Sequence, residues 1–394
     1  MQEKIKFVLK SGKDQSILRL HPWVFSGAIK KIYGDPAEGD VVNVFDNKDE
    51  FLATGHYQIG TIAVRILSFE DIEINEEFWY TKIHSAYQIR KILGLTDSNT
   101  TDVYRLVNAE GDNLPGLIID YYSGHIVIQS HSIGMYRSLN SIVSALKTIY
   151  GEKLLSIYNK SEATMPFKSP IEVKNSSLFG NTGDIIIKEN GLKFKVDWTE
   201  GQKTGFYIDQ RENRSLLKNY AKDRKVLNMF GYTGGFSVYA LQGNAELVHS
   251  VDSSARAIDL TSENIALNFP GLNHEAFAVD AFKYLENIKD KYDLIILDPP
   301  AFAKHQNVLH NALQGYKRLN QLAFEQIRPG GILFTFSCSQ VVSRENFKKS
   351  VFVAAANAKR SVRILHQLSQ PADHPVNIFH PEGEYLKGLV LYVE

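Results

Sequence analysis

The chain has 394 residues, 44% of them hydrophobic and 22% charged, and its formal net charge is zero. That length exceeds what one hydrophobic core organises, so two or three domains are expected, and the composition excludes a disordered or low-complexity chain. The neutral sum gives no general pull on nucleic acid, and the single cysteine, Cys338, excludes an internal disulfide and a multi-cysteine metal site, so no metal is expected.

Residues 1–72 read as short strands separated by turn residues: Ile5 to Leu9, Asp40 to Phe45, Leu52 to Tyr57 and Ile62 to Leu67. Turns at that spacing point to a small β-barrel. Its start is basic, with Lys4, Lys6, Lys10, Lys13, Arg19, Lys30 and Lys31 against Glu3 and Asp14. The opening MQEKIKFVLKSGKD lacks the apolar core of a signal peptide, and no apolar run of about 18 residues follows, so a cytoplasmic chain away from membranes is expected.

Residues 73–190 read as a central α+β domain. Phe78 to Leu93 has helical spacing and stops at Gly94, strands Leu117 to Tyr122 and His125 to Ser130 follow, and a second helix runs from Tyr136 to Tyr150. A strand at Leu154 to Asn159 precedes a polar stretch containing Pro166 and Pro170.

From 191 to 394 the rhythm becomes that of a doubly wound α/β domain, after a hairpin turning at Glu189-Asn190-Gly191. Seven strands are expected: Lys225 to Phe230, Leu247 to Asp252, Glu275 to Asp280, Tyr292 to Asp298, Gly331 to Ser337, Ser361 to Leu368 and Gly388 to Val393. Alternation with amphipathic helices implies a largely parallel sheet covered on both faces. No helix separates the last two strands, so the last is expected to insert antiparallel.

The first of these strands runs into Gly231-Tyr232-Thr233-Gly234-Gly235, a turn that lets backbone approach a ligand but lacks the dinucleotide fingerprint. Asp252, Asp280 and Asp298 end the next three strands, and open α/β sheets bind ligands at that edge. A turn without a phosphate fingerprint and a row of acids suit the ribose, adenine and cationic groups of S-adenosylmethionine. Each acid taken alone also fits a helix N-cap.

The fourth strand leads into Asp298-Pro299-Pro300-Ala301-Phe302, whose proline-locked carbonyls are free to face a substrate. Cys338 follows the fifth strand next door. Carbon 5 of a pyrimidine is a poor nucleophile, and thiolate addition to carbon 6 activates it for methylation. Cys338 is therefore assigned as nucleophile, and Asp298 or a water as the base that removes the carbon-5 proton. Within 201–214, Lys203, Phe206, Tyr207, Gln210 and Arg214 are assigned to the substrate, with Phe206 or Tyr207 stacking on a base. Pro299, Pro300 and Phe302 join them.

Together, NAEGDNLPGL at 108–117, KTGFYIDQRENR at 203–214, NMFGYTGGFSV at 228–238, LDPPAFAKH at 297–305, FSCSQ at 336–340 and PEGEYLKG at 381–388 resemble the RlmI-like family of bacterial 23S ribosomal RNA cytosine-carbon-5 methyltransferases. The resemblance implies an N-terminal PUA domain, a central α+β domain and a Rossmann-like class I methyltransferase domain. It implies that Phe230, Tyr232, Gly234, Asp252, Asp280 and Asp298 line the S-adenosylmethionine site and that Cys338 is the nucleophile. Some members carry a second cysteine where this chain has Phe336. The implied partner is 23S ribosomal RNA or an assembling large subunit, bound through the basic PUA module. Two alternatives stay open: methylation of guanine or an amino group with Cys338 structural, and a non-catalytic RNA-binding assembly factor. Oligomeric state is not readable, a homodimer being one open form.

Overall fold

The computed structural model describes residues 5–165, 171–181, 183, 185–303 and 305–394. Glu3, Lys4, Pro166, Pro170 and Lys304 of the sequence reading lie outside the described residues. The chain divides into two compact units: one holds residues 1–185, 197–205 and 372–383, the other 186–196, 206–371 and 384–394.

The first unit begins with a six-stranded sheet of β1 (Lys6–Leu9), β2 (Trp23–Phe25), β3 (Ile29–Tyr33), β4 (Val41–Phe45), β5 (Phe51–Tyr57) and β6 (Ile62–Ser68), in the order β2-β6-β5-β4-β1-β3. Its two edge strands are consecutive in the chain, joined by one 3-10 turn at Ser26–Ala28. A sheet whose edges are so tied must curl. It closes over Phe7, Leu9, Ile17, Val24, Val42, Val44, Ala53, Val64 and Ile66. The sequence reading had missed β2 and β3, which are short and largely exposed edge segments with little alternation.

After the short α1 (Gln15–Leu18), helix α2 (Glu76–Ile92) starts at Asn75, whose Oδ1 accepts the Phe78 N–H. The short α3 (Ile133–Arg137) leads into α4 (Leu139–Tyr150). Helix α2 packs, with α4, on a sheet of β7 (Val103–Asn108), β8 (Leu117–Tyr122), β9 (His125–Ser130), β10 (Ser156–Asn159) and β11 (Ser176–Phe179). The sheet order is β11-β10-β9-β8-β7. Residues 372–383 return to this unit, where the Asp373 carbonyl accepts from Arg90 and the Pro375 carbonyl accepts from Asn108.

The second unit carries the hairpin β12 (Ile185–Glu189) and β13 (Leu192–Val196), then a seven-stranded sheet. Its strands are β14 (Lys225–Met229), β15 (Leu247–Asp252), β16 (His274–Ala278), β17 (Leu294–Leu297), β18 (Gly331–Ser337), β19 (Val362–Leu368) and β20 (Lys387–Val393). The order is β16-β15-β14-β17-β18-β20-β19, with β20 antiparallel to both neighbours, as expected from the missing helix. Helices α5 (Arg211–Lys218), α6 (Gly235–Gln242), α7 (Ala255–Asn268), α8 (Ala281–Leu285), α9 (Leu309–Gln326) and α10 (Arg344–Asn357) supply the crossovers and flanks. β17 is buried at every position, as a central parallel strand covered on both faces must be. The order reverses between β14 and β17, which opens a crevice beyond their carboxyl ends. Among the described residues, no helix is long and apolar enough to cross a membrane.

Candidate active site at the strand ends

β14 stops because Phe230 and Tyr232 adopt left-handed backbone, at φ 59° and 45°, and Gly234 follows at φ 76°. A Cβ on Gly234 would stand 2.6 Å from Thr261 Cγ2 on α7, so both dihedral and space demand glycine. Helix α7 holds the turn through its carbonyls: Thr261 Oγ1 donates to Tyr232 O (2.8 Å) and Asn264 Nδ2 to Thr233 O (2.9 Å).

Asp252 ends β15 half-buried beside this turn. Its Oδ2 accepts the Tyr232 N–H (3.0 Å) and its Oδ1 the Ser254 N–H (2.9 Å). Each carboxylate oxygen keeps a second lone pair, which suits two vicinal hydroxyls. Asp280 is placed differently from the reading of the sequence. β16 ends at Ala278, and Asp280 is exposed two residues later as the N-cap of α8, accepting the Lys283 N–H at 2.9 Å.

Asp298 follows β17 and is half-buried. Its Oδ2 accepts from Gln210 Nε2 at 3.0 Å, and Gln210 Oε1 accepts from Asn213 Nδ2 at 2.6 Å, so the first turn of α5 orients this carboxylate. The Tyr207 ring meets Tyr232 edge-on at 5.1 Å. Burial, then the charges of Asp298 and Asp209, raise the Tyr207 hydroxyl pKa and keep it neutral. Pairing of β17 with β18 sets Cys338 beside the proline loop, with Sγ 3.8 Å from the Pro299 carbonyl oxygen. Pro299 is buried and Pro300 exposed.

The remaining assignments separate. Phe206 is only 3% exposed and packs on Phe194, ring centroids 5.1 Å apart. Arg214 is buried in a two-point pair with Glu189 (2.8 and 2.7 Å) and donates from Nη1 to the Tyr207 carbonyl. Expected at the substrate, these two are instead buried, Phe206 against Phe194 and Arg214 against Glu189, with Arg214 also holding the Tyr207 carbonyl. Phe302 leans on Tyr316 of α9 at 4.6 Å. Lys203 is exposed and belongs to the first unit.

Two groups near Cys338 went unassigned in the sequence. Lys387, at the start of β20, is 3% exposed and donates from Nζ to the Ser339 and Val342 carbonyls, both at 2.7 Å. Burial lowers its pKa to about 8, with the charge of Cys338 acting in the opposite sense. Tyr316 is buried with Cys338 and Asp298 in its surroundings, and burial pushes its hydroxyl up to about 12. Lys387 lay inside the quoted PEGEYLKG segment, which was the available signal; nothing local marked Tyr316.

A parallel sheet with an inserted antiparallel strand, a glycine turn and strand-end acids define a class I methyltransferase. Residues 176–380 match the model of S-adenosylmethionine-dependent methyltransferases, and residues 7–69 that of PUA-like domains. Among relatives, the chain is 42% identical over 392 residues to ribosomal RNA large subunit methyltransferase I of Tolumonas auensis, covering 97% of this chain and 98% of that protein. Among solved structures, it is similar to a candidate methyltransferase of Streptococcus mutans (TM-score 0.84, 25% identity, 98% and 100% of the two chains). It is also similar to SMU.776, a candidate methyltransferase in complex with S-adenosylhomocysteine (TM-score 0.85, 26% identity, 98% and 100% of the two chains). The chain belongs to the ribosomal RNA large subunit methyltransferase I family, and its methyl donor is S-adenosylmethionine.

Proposed function

We propose that this chain forms 5-methylcytosine in large-subunit ribosomal RNA through a covalent adduct to Cys338. The observation that carries the reading is the juxtaposition of the Cys338 thiol with the Pro299 carbonyl at the ends of adjacent strands, beside the glycine turn. The donor fits the residues present: Asp252 has lone pairs free for the ribose hydroxyls, and Gly234 leaves the turn open. Phe230, Tyr232, Asp280 and Asp298 would complete its surroundings. When bound, the donor supplies an electrophilic methyl group.

The Cys338 thiolate adds to carbon 6 of the cytosine, and the displaced π electrons make carbon 5 nucleophilic. After carbon 5 accepts the methyl group, Asp298 takes its proton, the double bond re-forms and sulfur leaves with its electron pair. Gln210 holds the Asp298 carboxylate for that task. Lys387 supplies a buried cation near the thiol, which favours thiolate. Tyr207, Pro299 and Pro300 would flank the base. The alternative of amino-group methylation needs a free aromatic after the prolines, and Phe302 is packed on Tyr316 instead. The target base must leave its stack to reach such a crevice. The PUA-like module, with Lys203, would supply contacts to the RNA backbone. Residues 1–72, 73–190 and 191–394 are the working modules of this proposal.

Wild type and Cys338→Ala are incubated with labelled S-adenosylmethionine and ribosomal RNA lacking its own modifications, and nucleosides are read by mass spectrometry. 5-Methylcytosine from wild type and none from the variant is expected. A methylated purine, or full activity of Cys338→Ala, overturns the reading.

A further inference from the structure

We propose a divalent transition-metal site, suited to zinc, formed in the first unit by His21, His380 and Glu382. Nothing in the methyl-transfer chemistry uses these residues, and no metal was expected from the sequence. His21 precedes β2, whereas His380 and Glu382 belong to the segment 372–383 that returns to this unit. The fold brings one ligand atom from each within 4.8 Å of the others.

His380 is the residue that calls for an explanation. It is 2% exposed, and neither ring nitrogen has a hydrogen-bond partner. A buried imidazole with both nitrogens unpaired costs free energy unless an ion or water completes it. Its Nε2 lies 3.9 Å from Glu382 Oε2, and His21 Nε2 lies 4.0 Å from the same oxygen. Both gaps are too long for hydrogen bonds and slightly wider than the roughly 3.3 Å between ligands on a tetrahedral zinc with bonds of about 2.0–2.2 Å. Ligation would draw the half-exposed Glu382 side chain closer to both rings.

The two imidazoles are already held. The His380 ring meets Trp23 at 4.3 Å, and Trp23 Nε1 is anchored on Glu110 Oε1 at 2.9 Å. The His380 N–H donates to the Asn377 carbonyl at 2.8 Å, which fixes the turn that carries it. His21 Nδ1 faces the Trp23 carbonyl at 3.4 Å and the Trp23 N–H at 3.2 Å. The Trp23 N–H donates to His21 Nδ1, and a metal on Nε2 would exchange that bond for one from Nδ1–H to the Trp23 carbonyl. Carboxylates of Glu382 and Glu110 balance a divalent charge, and half-buried His21 leaves a fourth position open to water. The ion would clip the returning segment to the N-terminal sheet.

Full-length protein is dialysed with Zn²⁺, and retained metal is measured by elemental analysis, with Co²⁺ as a visible-absorbance probe of tetrahedral geometry. Wild type is expected to retain one ion per chain. His380→Ala and the surface change Glu382→Gln should each weaken retention by at least about tenfold, while binding of S-adenosylhomocysteine stays unchanged. Zinc should also raise the thermal midpoint seen by tryptophan fluorescence in wild type only. Absence of retained metal, or retention indifferent to both substitutions, overturns the site.

Discussion

Carboxylates do opposite work in the two units. In the first, Asp112 is sealed at 0% side-chain exposure against Arg90, with contacts of 2.5 and 2.8 Å, and Asp120 is likewise sealed against Arg105 at 2.7 and 3.0 Å. In the second, Asp252 sits half-buried at a strand end, each oxygen taking one backbone N–H and keeping a lone pair, and half-buried Asp298 is held by the Gln210 side-chain amide. The residue type is the same. A guanidinium that saturates both oxygens makes a structural joint, whereas amides at an open sheet edge leave a carboxylate able to take a ligand.

All three tryptophans, Trp23, Trp79 and Trp198, fall in the first unit, so their fluorescence reports on that unit, while donor calorimetry reports on the other. The largest effect is expected from Arg90→Met, which leaves Asp112 buried without its cation and should lower the stability read by tryptophan fluorescence in urea by about 3–5 kcal/mol. A change below about 1 kcal/mol would mean that the pair is not the joint described.

Next in size is the pH response of His56. Burial, reinforced by Arg65 and Arg137, lowers its pKa from 6.5 to about 4, and its ring lies stacked on Trp79. The unfolded chain therefore binds the proton first, so stability is full above pH 6.5 and is lost as pH falls towards 4. The loss should reach about 3 kcal/mol. His56→Gln should flatten that part of the curve, and an unchanged slope would point to other groups.

The smallest effect concerns the open carboxylate. Asp252→Ala should weaken S-adenosylhomocysteine binding roughly tenfold to a hundredfold by titration calorimetry, with tryptophan unfolding unmoved. Unchanged affinity would make Asp252 a turn brace, as closed as Asp112, and the contrast between the units would fail.

Much of the second unit was legible because its signals are local. Strand–helix alternation, the glycine turn and the missing helix before β20 each lie within a short window, and the antiparallel last strand follows from them, whereas the order of the strands does not. β7 was overlooked because Arg105 interrupts its apolar run, and that arginine becomes intelligible only against Asp120 on β8. The 201–214 segment read as one substrate loop, yet Phe206 and Arg214 turn inward while Tyr207 stays near Asp298.

The sequence by itself determined the strands of the second unit to within a residue or two and the turn that demands glycine, because period and backbone sterics act over a few residues. Tertiary structure alone decided which of those residues remain available. Gln210 reaches Asp298, Lys387 reaches the loop after Cys338, Glu189 neutralises Arg214, and His380 meets His21, each across a long stretch of chain. Burial and charge compensation are properties of the packed neighbourhood, and no window of sequence contains that neighbourhood.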